Sequence, residues 1–256
     1  MIYDIQKASM WKRISASLLD VILLGIVSVG FIFMFSWMTN YDDTLTKMDA
    51  VYLQYKEEYG FDFREVTEEM YDKYTDEQKE YYDNTYQIFI KDEEVLRVHN
   101  LMVSKTTMMV ALGVLMGFLI VEFLVPLVLK NGQTIGKKCF SICVISENGV
   151  RIKPFVLFIR TILGKYTIET MISVFLIISM IFGSITIVKL FIILALIVAN
   201  LTMIITNRNN ALIHDVLAYT VVVDKESQLI FENQDELIEY KQKIALEKAN
   251  SQKTFK

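Results

Sequence analysis

The chain has 256 residues and a formal net charge of −4, and 53% of its residues are hydrophobic. Together with a mean hydropathy of +0.36, this fraction excludes an ordinary soluble domain of the same length. The charged residues form no basic stripe, which excludes nucleic-acid binding. The composition therefore predicts an integral membrane protein whose main partner is the lipid bilayer.

Four apolar runs are long enough to cross a membrane, because a bilayer core of ~30 Å takes about 20 helical residues. They are residues 14–38, 106–129, 166–182 and 185–206. Residues 155–165 (FVLFIRTILGK) are amphipathic, which predicts a separate helix lying in the cytoplasmic interface. The expected fold class is an all-α polytopic membrane protein with four transmembrane helices.

The distribution of lysine and arginine predicts the orientation of these helices. Basic residues precede the first run and fill the loop between the second and third runs, as expected for cytoplasmic segments. Residues 40–105 instead carry 17 acidic and 8 basic residues, a net charge of 8 − 17 = −9. We expect a protein of the cell membrane with both termini in the cytoplasm and residues 40–105 outside.

These predictions divide the chain into seven segments. They are 1–39 (N-terminal interfacial segment and first span), 40–105 (acidic extracytoplasmic helical insertion), 106–129 (second span), 130–153 (cytoplasmic loop with a β-strand), 154–206 (interfacial helix, third and fourth spans), 207–224 (closing segment with a β-strand) and 225–256 (polar cytoplasmic tail).

Residues 40–105 are too long for a simple connection and are expected to fold into two or three helices. The first closes at Gly60, and another opens with a capping box formed by Thr75 and Gln78. One interpretation is a small acidic cap on the membrane domain. The other is a docking surface for an extracytoplasmic protein partner, or a vestibule that attracts cations.

Two short runs rich in β-branched residues lie on the predicted cytoplasmic side, CFSICVI and LAYTVVV. Pairing of these runs would form a small cytoplasmic β-sheet. Cys139 and Cys143 belong to the first run; we expect neither a disulfide in a reducing compartment nor a metal site, and no cofactor. In the tail, Leu237, Tyr240 and Ile244 lie at helical spacing, which predicts a further helix.

Asp20 and Glu122 lie well inside the first and second apolar runs, whereas Glu169 lies near the start of the third. An ionisable side chain in a span costs at least ~2.5 kcal/mol on insertion scales, so it is usually paired and often functional. Both carboxylates are predicted to lie about 10 Å from the cytoplasmic boundary. Pro126 also removes the helical hydrogen bond to the carbonyl of Glu122. Such an oxygen cluster suits a Na⁺ ion or a proton; alternatively, basic residues such as Arg160 or Lys165 neutralise the carboxylates and fix the helices.

Three segments in chain order resemble the RDD family of bacterial membrane proteins: WKRISASLLD at 11–20, GQTIGKK at 132–138 and NRNNALIHDVLAYTVVVD at 207–224. By position, the arginine of the family falls on Arg13 and its two aspartates fall on Asp20 and Asp215. Arg160 is similar to a further recurrent arginine. The resemblance does not extend to residues 40–105, which are far longer than the usual connection there.

The resemblance implies a transport role, because some members of the family are described as Na⁺(Li⁺)/H⁺ antiporters. Under this hypothesis Asp20 and Glu122 bind the cation or proton, and Asp215, beside His214, takes the proton at the cytoplasmic mouth. Four helices are few for an exchanger, so a homo-oligomer is expected. Alternatively, His214 and Asp215 cap a helix and hold the strands in place.

A hypothesis of a different class is a membrane scaffold or accessory protein whose outer segment binds a partner. Neither hypothesis makes the protein an enzyme. The spans carry no Ser/His, HExxH or paired-aspartate signature of an intramembrane hydrolase.

Overall fold

The computed structural model describes residues 5–183, 185–207 and 209–254. The chain divides into two compact units: Ile32–Val110, and Met1–Phe31 together with Ala111–Lys256. Positions 1–4 and 255–256, at the ends of the predicted segments 1–39 and 225–256, lie outside the described residues, as do positions 184 and 208.

Four helices in the described residues are long and apolar enough to cross a membrane: α1 (Met10–Met38), α5 (Glu93–Leu129), α7 (Pro154–Ile181) and α8 (Ile187–Thr206). The prediction of an all-α polytopic membrane fold with four spanning helices is thus confirmed. The helices α1 and α5 begin earlier than the apolar runs, because their first turns are polar but still helical.

Helix α7 differs from the sequence prediction. Residues 155–165 were expected to form an interfacial helix separate from the third span, but the helix continues through Lys165 and Tyr166 without a break. The charge of Lys165 does not end the helix because its ammonium is paired with Glu122, with Nζ and Oε1 2.6 Å apart.

Two helices contain π-helical turns, Phe118–Leu124 in α5 and Ile159–Met171 in α7. Such turns are rare and are frequently found at functional sites. The turn in α5 carries Glu122, and that in α7 carries Arg160, Lys165 and Glu169. The structural irregularities and the charged residues therefore coincide.

The two predicted strands do pair. Strand β1 (Ile142–Ser146) is antiparallel to β2 (Thr220–Asp224), with Ile142 opposite Asp224 and Ser146 opposite Thr220. Lys7 forms a bridge with Val223 on the far side of β2, so the N-terminal segment extends the sheet. Four alternate strand positions form a cluster that excludes water: Cys143, Ile145, Val221 and Val223.

Two short helices flank this sheet, α6 (Ile135–Cys139) before β1 and α9 (Ile213–Leu217) before β2. Thr134 caps α6 by accepting the backbone N–H of Lys137 at 3.2 Å. The sheet therefore fixes the position of both helices.

The predicted tail helix is also present as α10 (Gln234–Thr254), where Leu237 packs in a cluster with Val150 and Phe231.

The unit Ile32–Val110 has a core of its own. It contains α2 (Tyr41–Tyr59), α3 (Glu68–Asp72), α4 (Asp76–Phe89) and the first part of α5. As predicted, α2 ends at Gly60, which has a positive φ of 83°, and Thr75 and Gln78 form a capping box at α4. The core residues come from three of these helices: Met48, Val51, Tyr55, Phe89, Val95 and Val98.

Candidate functional site

Asp20 is buried in the middle of a polar site next to helix α6. Its Oδ1 accepts the backbone N–H of Gly136 at 2.8 Å, and its Oδ2 accepts the hydroxyl of Thr134. A Cβ on Gly136 would lie 2.3 Å from the carbonyl oxygen of Ala16, so only glycine allows this approach. The GQTIGKK motif thus folds so that its backbone and its threonine bind Asp20.

Lys137 reaches between the two predicted carboxylates. Its Nζ lies 3.6 Å from Oδ2 of Asp20 and 3.7 Å from Oε2 of Glu122, and it donates to Oγ1 of Thr134 at 3.1 Å. Burial lowers the pKa of the Lys137 ammonium to about 8, against the attraction of the Glu122 carboxylate. The structure therefore brings Asp20 and Glu122 together through a lysine that the sequence analysis did not select.

Glu122 has a second cationic partner. Oε1 of Glu122 accepts from Nζ of Lys165 at 2.6 Å, and its carbonyl oxygen accepts the hydroxyl of Thr161 at 3.1 Å. The carbonyl that Pro126 was expected to leave free is thus occupied by a side chain of α7. This contact ties α5 to α7 at the π-helical turns.

Asp215 is held between two arginines. Arg160 donates Nε and Nη2 to Oδ1 of Asp215 at 3.0 and 2.7 Å, and Nη2 of Arg13 lies 3.5 Å from Oδ2. Burial alone would raise the pKa of Asp215, but Arg160, His214 and Arg13 lower it below its ordinary value. Asp215 therefore stays ionised and links α1, α7 and α9.

His214 faces a different carboxylate, that of Glu169. Its Nδ1 lies 2.9 Å from both oxygens of Glu169, and its backbone N–H donates to Oε1 at 3.0 Å. Gly164 provides the necessary space, because a Cβ there would lie 2.6 Å from Cβ of His214. Burial lowers the pKa of His214, against the attraction of Asp215.

All of these charged side chains except Glu169 line a cavity of about 80 Å³. In the described part of the chain, the charged groups at this site are four acids and four bases: Asp20, Glu122, Glu169, Asp215, Arg13, Lys137, Arg160 and Lys165. With His214 neutral, the charges cancel. A balanced cluster is the arrangement in which buried charges are tolerated.

Seven residues of this site were candidates from the sequence, whereas Lys137 and Glu169 had no predicted role there. Lys137 lies within the GQTIGKK motif, which was a usable signal. Glu169 lies four residues after Lys165, so a helix places both on one face. What the sequence does not show is that each finds a partner from a distant segment.

The model of the RDD family matches residues 7–219 of the chain. The chain belongs to the RDD family. No curated protein and no solved structure is significantly similar to it. Arg13, Asp20 and Asp215, to which the resemblance assigns the arginine and the two aspartates of the family, all line the same cavity. In this RDD protein, therefore, segments that are distant in the chain converge on one buried polar site.

Proposed function

We propose that this RDD-family membrane protein exchanges a monovalent cation, Na⁺ or Li⁺, for a proton at Asp20 and Glu122. The observation that supports this proposal best is the position of Lys137. Its ammonium group lies at similar distances, 3.6 and 3.7 Å, from two buried carboxylates. A bound monovalent cation would be attracted to the same place by the same charges.

Charge balance explains how the exchange would be coupled. The four acids and four bases of the polar site, Glu169 included, cancel, so an entering cation adds an uncompensated charge in a medium of low dielectric constant. The site becomes neutral again when Lys137 gives up its proton. Cation binding and proton release are then linked one for one.

The available ligands suit a small cation. The carboxylates of Asp20 and Glu122 and the hydroxyl of Thr134 supply oxygen atoms, which hard cations prefer. A cavity of about 80 Å³ also has room for water molecules that would complete the coordination shell. The ion pair of Arg160 with Asp215 would act as a fixed frame for the site.

The orientation is part of the proposal. The basic loop that contains Lys137 would face the cytoplasm, and the acidic unit Ile32–Val110 would lie outside. Because four spanning helices are few for an exchanger, we propose that the protein acts as a homo-oligomer.

Purified full-length protein in lipid vesicles tests this function. An imposed Na⁺ gradient should drive proton movement in the opposite direction, and both Asp20→Asn and Lys137→Gln should abolish it. Lys138→Gln is the matched control, since Lys138 is an exposed neighbour on the same short helix. No proton movement in vesicles that hold intact, oriented protein would contradict the proposal.

A second candidate function is that of a membrane scaffold, which the separate core of the unit Ile32–Val110 favours. In this case the unit would bind an extracytoplasmic protein, and the buried charges would serve only helix association. Deletion of residues 40–105 should then remove the proteins that co-purify with the chain. An unchanged set of co-purifying proteins would contradict the scaffold function.

A further inference from the structure

A second cavity adjoins the first. It has a volume of about 180 Å³ and shares six lining residues with the smaller cavity: Ser17, Asp20, Glu122, Lys165, Leu212 and His214. It continues along α1, α5 and α7 to Leu24, Phe118 and Thr170. Glu169 lines this larger cavity. Its side chain is 18% exposed, compared with 8% for Glu122, so it is the more accessible of these two carboxylates.

His214 lies between two carboxylates. Its Nδ1 contacts the oxygens of Glu169 at 2.9 Å, and its Nε2 lies 3.6 Å from Oδ2 of Asp215. Asp215 is already neutralised by Arg160 and Arg13. The partner of Glu169 among the described contacts is His214, and the two form an ion pair only while the imidazole is protonated. Because its two ring nitrogens face different carboxylates, the imidazole can accept a proton on Nε2 and donate the proton on Nδ1 to Glu169.

We propose that Glu169, acting with His214, carries the proton of the exchange cycle from the cation site to the larger cavity. This inference rests on the proposed function. The cation would be bound by Asp20 and Glu122, and the proton would leave through a separate pair.

The proton balance is as follows. One N–H bond of the Lys137 ammonium breaks, and its electron pair stays on Nζ. Through water in the smaller cavity, Nε2 of His214 gains the proton, and the proton on Nδ1 moves to a carboxylate oxygen of Glu169. Protonated Glu169 then releases the proton into the larger cavity. With the cation bound and the proton still on Glu169, the site carries one excess positive charge, which favours this release.

Charged groups face His214 from every element packed around it. They are Glu169, Arg160 and Lys165 from α7, Asp215 from α9, Asp20 and Arg13 from α1, Glu122 from α5 and Lys137 from α6. Burial, Arg160 and Lys165 oppose protonation of His214, whereas the carboxylates of Asp215 and Glu169 favour it. His214 thus holds a proton only in transit when Glu169 can accept it.

The test compares wild-type protein with Glu169→Gln and Glu169→Asp in the same vesicles. Glu169→Gln should lower Na⁺-driven proton flux by about 100-fold, the contribution of a positioned acid–base group, while Glu169→Asp stays within about tenfold of wild type. The remaining flux of Glu169→Gln should also lose the pH dependence of wild type between about pH 6 and pH 9. Glu239→Gln, an exposed carboxylate on α10, is the matched control.

A second measurement separates this role from a structural one. Na⁺ should raise the unfolding temperature of detergent-purified Glu169→Gln as much as that of wild type, because the cation site is intact. If the flux of Glu169→Gln and its pH dependence equalled those of wild type, the inference would be overturned and the proposed function would still stand. If Glu169→Gln lost both the proton flux and the stabilisation by Na⁺, the inference would also be overturned, since Glu169 would then have a structural role. Absence of flux in wild type would overturn both.

Discussion

The guanidinium of Arg160 and the carboxylate of Asp215 form a buried ion pair, with Nη2 and Oδ1 2.7 Å apart and the side chains 2% and 1% exposed. The pair joins the third spanning helix to the short helix before β2. Nε of Arg160 donates to the same oxygen at 3.0 Å, so two donors of the guanidinium converge on one acceptor.

Removing one member of this pair should destabilise the protein strongly. Arg160→Met leaves Asp215 buried with the more distant Arg13 as its arginine partner, so we expect a loss of about 3–5 kcal/mol in the free energy of unfolding. Thermal unfolding of the detergent-purified protein measures this loss. The double variant Arg160→Met/Asp215→Leu should be more stable than Arg160→Met. If both have the stability of wild type, the pair does not hold α7 and α9 together.

Gly136 should tolerate no side chain. A Cβ there would lie 2.3 Å from the carbonyl oxygen of Ala16 and 2.8 Å from Oδ1 of Asp20, and the backbone oxygen cannot move without shifting α1. Gly136→Ala should therefore lower both the unfolding temperature and Na⁺-driven flux. Gly25→Ala is the control, because no atom lies within 4 Å of its added Cβ. Equal behaviour of the two variants would show that α6 does not approach α1 as described.

The two cysteines should differ in reactivity. Cys139 is exposed, whereas Cys143 is buried in the sheet, where burial raises the pKa of its thiol to about 11. A membrane-impermeant maleimide should modify Cys139, and only from the side that the basic loop faces. Cys139→Ser should remove the labelling. Labelling of intact cells from outside would contradict the proposed orientation, and rapid labelling of Cys143 would contradict the burial of β1.

The unit Ile32–Val110 should lose stability in acid. The carboxylate of Asp92 accepts the backbone N–H groups of Val95 and Glu94, at 3.1 and 2.7 Å. The amide of Val95 is the largest cause of the lowered pKa of Asp92. Because the pKa is lower in the folded state, Asp92 stabilises the unit above the ordinary carboxyl value, and this contribution disappears as the pH falls through the folded-state pKa.

Near-UV circular dichroism measures this effect, since nine of the 13 tyrosines lie in residues 40–105. The tyrosine signal of the full chain should melt at lower temperature below about pH 4. Asp92→Asn should lower the melting temperature at neutral pH and reduce its dependence on acid. An identical pH dependence in wild type and Asp92→Asn would show that this carboxylate does not contribute.

The four spans, the two strands and the capping box at Thr75 could all be predicted, because each element depends on neighbours in the sequence. The pairing of the strands was inferred from their expected location on the same side of the membrane. The continuity of α7 could not, since charges at Lys165 and Glu169 suggest a helix outside lipid unless their partners are known. Those partners are Glu122 and His214, 43 and 45 residues away in the chain. The π-helical turns also escape a search based on a period of 3.6 residues.

The candidate site was only partly predictable for the same reason. Asp20 and Glu122 were recognised because carboxylates are rare in apolar runs. Lys137 was not recognised, because it lies in a loop outside the spans. Its side chain enters the site only because Thr134 caps α6 and the backbone of Gly136 binds Asp20. The contact of Gly136 with Asp20 joins residues 116 positions apart, which no local pattern reveals.

In the proposed function, a monovalent cation and the proton of Lys137 exchange one for one at Asp20 and Glu122. The most direct test measures Na⁺-driven proton flux in vesicles while a potassium gradient with valinomycin sets the membrane potential. One-for-one exchange moves no net charge, so wild-type flux should be the same at positive, zero and negative potential. A flux that changes steeply with the potential, or wild-type flux in Lys137→Gln, would contradict the claim.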